Sequence, residues 1–162
     1  MSIAIRAAKP ADGALVYAFV RELAEYERLS AEVDATEKQI ATALFAPEPR
    51  VFCDIAEWKG EPAGFALWFL NFSSFRGRNG IYLEDIFVRP SYRGKGIGRA
   101  LMKKLAKSCV SEGWIRFEWA VLDWNKPSIE FYRSIGASVM DEWRICRMSG
   151  DALRRFAGEG AP

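Results

Sequence analysis

The sequence predicts a mixed α/β protein, a sheet with helices packed on it, in one domain over residues 1–162 with a core at about 3–157 and a frayed tail at 158–162. Three observations carry this. The spacing of apolar residues switches repeatedly between two and three-to-four, which gives the element order βααβββαβαβ(β). At 162 residues, half of them apolar and 14% aromatic, the chain is long enough to bury a two-layer core. No repeat, linker or low-complexity tract divides it.

The elements follow in order. Ile3 to Ala7 alternates apolar and polar residues, as a half-buried strand does. From Asp12 the period becomes helical, with Leu15, Phe19, Leu23 and Tyr26 on one stripe and Leu29 closing it. Thr36-Glu37-Lys38-Gln39 has capping-box spacing and opens a short helix through Ile40, Ala43 and Leu44, stopped by Pro47 and Pro49. Val51 to Trp58 and Ala63 to Phe72 read as a hairpin around Lys59-Gly60-Glu61-Pro62. Ser73 to Gly80 reads as a loop, and Ile81 to Val88 as an apolar strand interrupted by Glu84-Asp85 and ended by Arg89-Pro90. Ile97, Leu101, Leu105 and Val110 mark a long helix, Ile115 to Val121 a strand, and Pro127 to Ile135 a short helix with Gly136 as its stop. Val139-Met140 and Trp143 to Met148 are expected as the last strands, and Asp151 to Phe156 as a terminal helical turn or two.

Composition narrows the chemistry. The net charge is only +2 with acids and bases interleaved, so nucleic-acid binding is not expected. The longest apolar runs, such as Phe65 to Leu70, are strand-sized, so no membrane span is expected, and Met1 to Ile5 enters a strand pattern with no secretory leader. Cys53, Cys109 and Cys146 are odd in number and follow no pairing motif, which points to thiols in a reducing compartment, the cytoplasm by default. Histidine is absent, which removes Ser-His, Cys-His and His-ligated metal mechanisms together. Acid–base work falls to Glu, Asp, Tyr, Lys or Cys, and no metal is expected.

Three motifs carry chemistry. Arg93-Gly94-Lys95-Gly96-Ile97-Gly98-Arg99 lies between a strand and a helix, where glycines free backbone amides for a diphosphate and the helix N-terminus favours its charge. Taken alone it is equally an ordinary glycine-rich connection. It lacks the Gly-Lys-Ser/Thr end of a P-loop and the spacing of a Rossmann fingerprint. Tyr132 is a possible proton donor or simply a core aromatic beside Phe131. Glu84-Asp85 sits in an apolar strand, where carboxylates are costly unless paired, hydrated or functional. Strand alternation allows only one of the two into a given cleft, and the plainer alternative is a carboxylate capping amides at a bulge.

The Arg93–Gly98 segment matches the R/Q-x-x-G-x-G/A signature, and Trp124-Asn125-Lys126-Pro127-Ser128-Ile129-Glu130-Phe131-Tyr132 with Ile135-Gly136-Ala137 is similar to the second cofactor motif, of the GNAT superfamily of N-acetyltransferases. Glu22 to Glu27, Tyr82 to Ile86 and Val121 to Asn125 resemble its diamine branch, the spermidine/spermine and thialysine N-acetyltransferases. The resemblance runs from Ile5 to about Ala157. It implies a mostly antiparallel sheet with a parallel pair splayed at the cofactor cleft, helices on both faces, and a homodimer.

The resemblance also implies roles. Acetyl-CoA would be held by residues 93–99 at its pyrophosphate, by Asn125 and Ser128 along the pantetheine arm, and by the amides of Ile86, Phe87 and Val88 at the acyl carbonyl. Glu84 would deprotonate the amine through water and Tyr132 would protonate the leaving thiolate. Direct attack in a ternary complex is expected from the residues themselves, since no cysteine sits in a nucleophile motif and no histidine could activate one. Tyr26, Glu27, Asp85, Glu118, Glu142 and Trp143 would receive a cationic acceptor: a diamine, a polyamine or a thialysine-like amine. Ser73-Ser74-Phe75 stands where the spermidine/spermine enzymes carry Asp-Pro-Trp, which favours a short acceptor. Competing readings are acetylation of a protein N-terminus or lysine, a non-catalytic acyl-CoA sensor, and a nucleotide-binding module.

Overall fold

The computed structural model describes residues 2–159, and the chain divides into two compact units, one running to Leu122 and one starting at Asp123. The first holds a five-stranded sheet in the order β1-β2-β3-β4-β5. Its strands are β1 (Ile3–Ala7), β2 (Phe52–Trp58), β3 (Glu61–Ser73), β4 (Arg78–Val88) and β5 (Phe117–Trp119). The first four pair antiparallel, and β5 joins β4 in parallel over three residue pairs, Ile81–Phe117 to Leu83–Trp119. Helices α1 (Gly13–Tyr26), α2 (Glu37–Leu44) and α3 (Ile97–Ser111) belong to this unit.

Alternation along the strands sorts the helices onto two faces. Cys53, Ile55, Phe65, Leu67 and Phe87 face Val16, Phe19 and Leu23 of α1 and Leu44 of α2. Phe19 and Phe65, both fully buried, stack with ring centroids 5.2 Å apart, and each contributes about 2–3 kcal/mol by burial. Asp54 points to the opposite face, which α3 covers. Lys104 of α3 pairs with one Asp54 oxygen, and Trp68 Nε1 donates to the other at 3.0 Å. The capping box of α2 forms as its spacing requires, with Gln39 Oε1 accepting from the Thr36 amide at 2.8 Å.

The second unit contains α4 (Lys126–Ser134) and α5 (Gly150–Phe156). Pro127 sits in the first turn of α4, and a Schellman motif ends it. Gly136, at φ 94°, donates to the Arg133 carbonyl, and Ala137 to that of Tyr132.

Some boundaries differ from the sequence expectation. Val139-Met140 and Trp143 to Met148 do not form strands, and Trp143 and Ile145 are 72% and 75% exposed. Their apolar and aromatic residues suit a strand locally, but the second unit supplies no other strand among its described residues. The β5 strand is shorter than Ile115 to Val121, and β4 begins at Arg78, inside the expected loop. On α3 it is Cys109 that turns inward, while Val110 is 83% exposed. Of the expected tail, 160–162 lie outside the described residues.

Candidate active site

The first unit brings together most of the residues singled out above. Strand β4 carries a bulge at its acid pair: Leu83 is opposite Trp68 and Asp85 opposite Leu67, so Glu84 has no partner across the ladder. The extra residue breaks strict alternation, which corrects the expectation that the two carboxylates must face opposite sides. Asp85 shares the face of Leu67 and Phe87, and Glu84 is exposed beside it. Burial first, then the charges of Glu84 and Glu27, push the Asp85 carboxyl up from 3.8 to about 7. Burial also raises Glu27, which follows the last residue of α1. Tyr26, that last residue, has its ring 6.4 Å from Phe87. Glu27, Asp85 and Tyr26 therefore make one acidic, aromatic corner.

Beyond Leu83 strand β4 has no β5 partner, so residues 84–88 present an open edge on that side. The Arg89 amide donates to the Ala63 carbonyl across the β3 ladder. Alternation then turns the Phe87 amide toward β3 and those of Ile86 and Val88 toward the open edge. Of the three amides expected at an acyl carbonyl, Ile86 and Val88 have the suitable direction. The Phe87 side chain belongs to the core.

A 3₁₀ turn (Pro90–Tyr92) leads from β4 into the glycine segment. Gly94 and Gly96 adopt φ 74° and 84°, with nothing near the position of an added Cβ. What demands glycine here is backbone conformation, not close packing. Gly96 is the N-cap of α3 and offers no side-chain oxygen to the first-turn amides. The Ile97 side chain is core, leaving only its amide for a ligand. Lys95 Nζ donates to the Ser91 carbonyl at 2.8 Å. Open glycine backbone, an uncapped fifteen-residue helix and flanking cations fit a diphosphate.

Two further features were not legible in the sequence. Arg89 grips Glu22 through Nε at 2.9 Å and Nη2 at 2.7 Å, with its guanidinium 4.5 Å from the Phe19 ring centroid, tying β4 to α1. Arg93, whose sequence neighbours assign it to a pyrophosphate, has its guanidinium over Tyr26. Glu118 pairs with Arg116 at 2.8 Å and accepts from Asn71 at 2.7 Å, which ties it into the sheet.

In the second unit Asn125 and Tyr132 are buried, at 6% and 9% exposure. Asn125 is the N-cap of α4, its Oδ1 accepting from the Ser128 amide at 3.4 Å. Glu142 and Trp143 are exposed. As for nucleophiles, burial raises the Cys53 thiol to about 12 and that of Cys109 upward, while Cys146 is exposed. The described residues contain no cluster able to hold a metal ion and no helix long and apolar enough to cross a membrane.

Comparison with known proteins adds the following. A model of the acetyltransferase (GNAT) family matches residues 15–137. A thialysine N-epsilon-acetyltransferase from Sus scrofa is 40% identical, over 98% of this chain and 99% of that protein. An L-ornithine N5-acetyltransferase from Arabidopsis thaliana is 34% identical, over 93% and 86%. Among solved structures, an integron cassette protein from the mobile metagenome of V. cholerae superposes with a TM-score of 0.80 at 31% identity, covering 97% of this chain and 98% of that one.

Proposed function

The chain belongs to the acetyltransferase (GNAT) family and is an amine N-acetyltransferase, and from that premise we propose that it acetylates the terminal primary amine of a small thialysine-like, diamine or polyamine acceptor with acetyl-CoA. The observation that carries the acceptor class is the corner of Tyr26, Glu27 and Asp85, an aromatic ring with two partly buried carboxylates. Such a corner suits an alkylammonium by charge and by cation–π contact. The names of the thialysine and ornithine relatives share one chemical feature, a primary amine ending the side chain of an amino acid. That feature favours an amino-acid acceptor over a long polyamine, as does Ser73-Ser74-Phe75 in place of an acidic segment.

Acetyl-CoA, when bound, supplies an activated acetyl thioester. The glycine turn and the first-turn amides of α3 hold its pyrophosphate, with Arg93, Lys95 and Arg99 adding charge. Ile86 and Val88 direct amides at the acyl oxygen, where they stabilise negative charge as it develops. Asn125 and Ser128 orient the pantetheine arm. An alkylammonium with a pKa near ~10 must lose a proton before it attacks. Glu84, exposed at the bulge, takes that proton through water, while Asp85 and Glu27 hold the acceptor's second, non-reacting ammonium. The Tyr132 hydroxyl returns a proton to the departing sulfur. Attack is direct, because burial keeps the Cys53 and Cys109 thiols protonated and the chain has no histidine to activate Cys146. The domain acts as a homodimer in the cytoplasm.

Thiol release from acetyl-CoA across thialysine, ornithine, lysine, 1,4-diaminobutane, spermidine and a peptide panel tests this reading. Turnover is expected to be highest with thialysine or ornithine. Turnover confined to peptides would transfer the function to protein acetylation, and tight acetyl-CoA binding without any turnover would leave a sensor.

A further inference from the structure

One contact in the first unit links the two binding regions just described, and its meaning rests on the acetyl-CoA reading. Arg93 opens the glycine turn, yet its guanidinium lies 4.6 Å from the ring centroid of Tyr26 and 5.6 Å from that of Phe87. Its Nε donates to the Val88 carbonyl at 2.9 Å, on the open edge of β4. Arg93 is thus a cation seated on the aromatic part of the acidic corner, since Asp85 shares the face of Phe87 and Glu27 adjoins Tyr26. Rings with neighbouring carboxylates are what an alkylammonium selects, and one ring face holds one cation. Gly94 follows Arg93 directly, and Gly96 two residues later caps α3, so the guanidinium is also tethered beside the anion site. Against the neutral Val88 carbonyl and a ring face, a pyrophosphate offers the guanidinium a full negative charge and a bidentate partner.

We propose that Arg93 couples the two sites: its guanidinium competes with the acceptor's ammonium for the Tyr26–Phe87 face, and a pyrophosphate at the glycine turn draws it off and opens that face. Linkage makes the effect reciprocal, so cofactor and acceptor tighten each other by the same factor, typically about 5–150-fold for coupled sites. Arg93 is therefore a specificity element for both ligands. It also shields the corner from stray cations until the donor is in place.

Calorimetric titration of the full chain with thialysine, alone and with saturating coenzyme A, tests the coupling in the wild type and in Arg93→Gln. Glutamine keeps a donor for the Val88 carbonyl and removes the charge. In the wild type coenzyme A is expected to tighten thialysine roughly tenfold, within the usual range of coupling. Arg93→Gln is expected to bind thialysine without coenzyme A as tightly as the wild type does with it, to within about twofold, and to show no further gain. Independently, the Arg93 Nε–H resonance should be shifted upfield by the Tyr26 ring, compared with Tyr26→Leu, and should return toward its ordinary position when coenzyme A is added. Equal thialysine affinity with and without coenzyme A, persistence of the gain in Arg93→Gln, or an Arg93 signal indifferent to coenzyme A each overturns the proposal. If thialysine binds in neither state, the resonance decides. Failure of coenzyme A to bind the wild type would instead sink the acetyl-CoA reading, and this inference with it.

Discussion

Asp85→Asn should make the protein more stable at pH 8.5 and leave its stability unchanged near pH 4. The carboxyl is partly buried on the sheet face of Leu67 and Phe87 and stands near Glu84 and Glu27, and burial with those charges lifts its pKa from 3.8 to about 7. Between those values the folded chain keeps a proton that the unfolded chain has released. Stability contributed by this group is therefore intact below about pH 4 and falls as pH rises toward 7, by ~1.4 kcal/mol per unit. Across the window of about three units the ionised Asp85 costs roughly 4 kcal/mol. Asparagine, neutral throughout, avoids that cost while retaining most of the volume. Guanidinium unfolding of both proteins at half-unit intervals from pH 4 to 8.5 measures the difference directly. We expect a gain of about 2–4 kcal/mol at the alkaline end, shrinking to under ~0.5 near pH 4. A difference that stays constant across the range, or a variant less stable at pH 8.5, would refute the account of Asp85 as a strained, ionised acid. The same variant should weaken acceptor binding, because the group that destabilises the empty corner is the one that holds an ammonium there.

Three other outcomes follow from the geometry. Tyr132→Phe should lower kcat by about 100-fold while moving cofactor affinity by less than twofold, consistent with the usual contribution of a positioned acid; unchanged turnover in steady-state assays rules out the proposed donor. Gly96→Ala forces an alanine to φ 84°, which costs ~1–2 kcal/mol of strain without a clash, and should raise KM for acetyl-CoA several-fold with little change in kcat. A KM equal to that of the wild type would detach the glycine turn from the cofactor. Asp54→Ala leaves Lys104 and the Trp68 indole without their shared partner and should reduce unfolding stability by about 2–3 kcal/mol; a loss below ~0.5 kcal/mol would show the network to be incidental.

What was legible in the sequence is what local physics decides. The stripe Phe19–Leu23 predicts which side of α1 meets the sheet, and Thr36 with Gln39 predicts where α2 starts, because each depends on residues within two helical turns. Gly94 and Gly96 are legible as positions needing freedom, since the positive φ is a property of the turn itself, whereas Gly98 lies inside α3 without a positive φ. The errors lie where a distant partner decides. Val139-Met140 and Trp143 to Met148 are rich in strand-favouring apolar residues, yet a strand exists only if another edge receives it, and so short a segment does not encode that edge.

The acid pair shows the same limit at finer scale, and there it bears on function. Alternation puts Glu84 and Asp85 on opposite faces, but one bulge, set by the register of β3 against β4, removes that constraint and lets both serve one corner. The bulge leaves Glu84 exposed and without a partner across the ladder, open to water, while Asp85 is partly buried and carries a raised pKa. Two adjacent carboxylates thereby acquire different environments from one inserted residue. Arg93 extends the point: its sequence neighbours assign it to an anion, while the aromatic rings it meets across the fold give it a cation's seat. A residue with both assignments is where, on our proposal, donor and acceptor binding become dependent on each other, because only the folded chain brings the glycine turn and the two rings together.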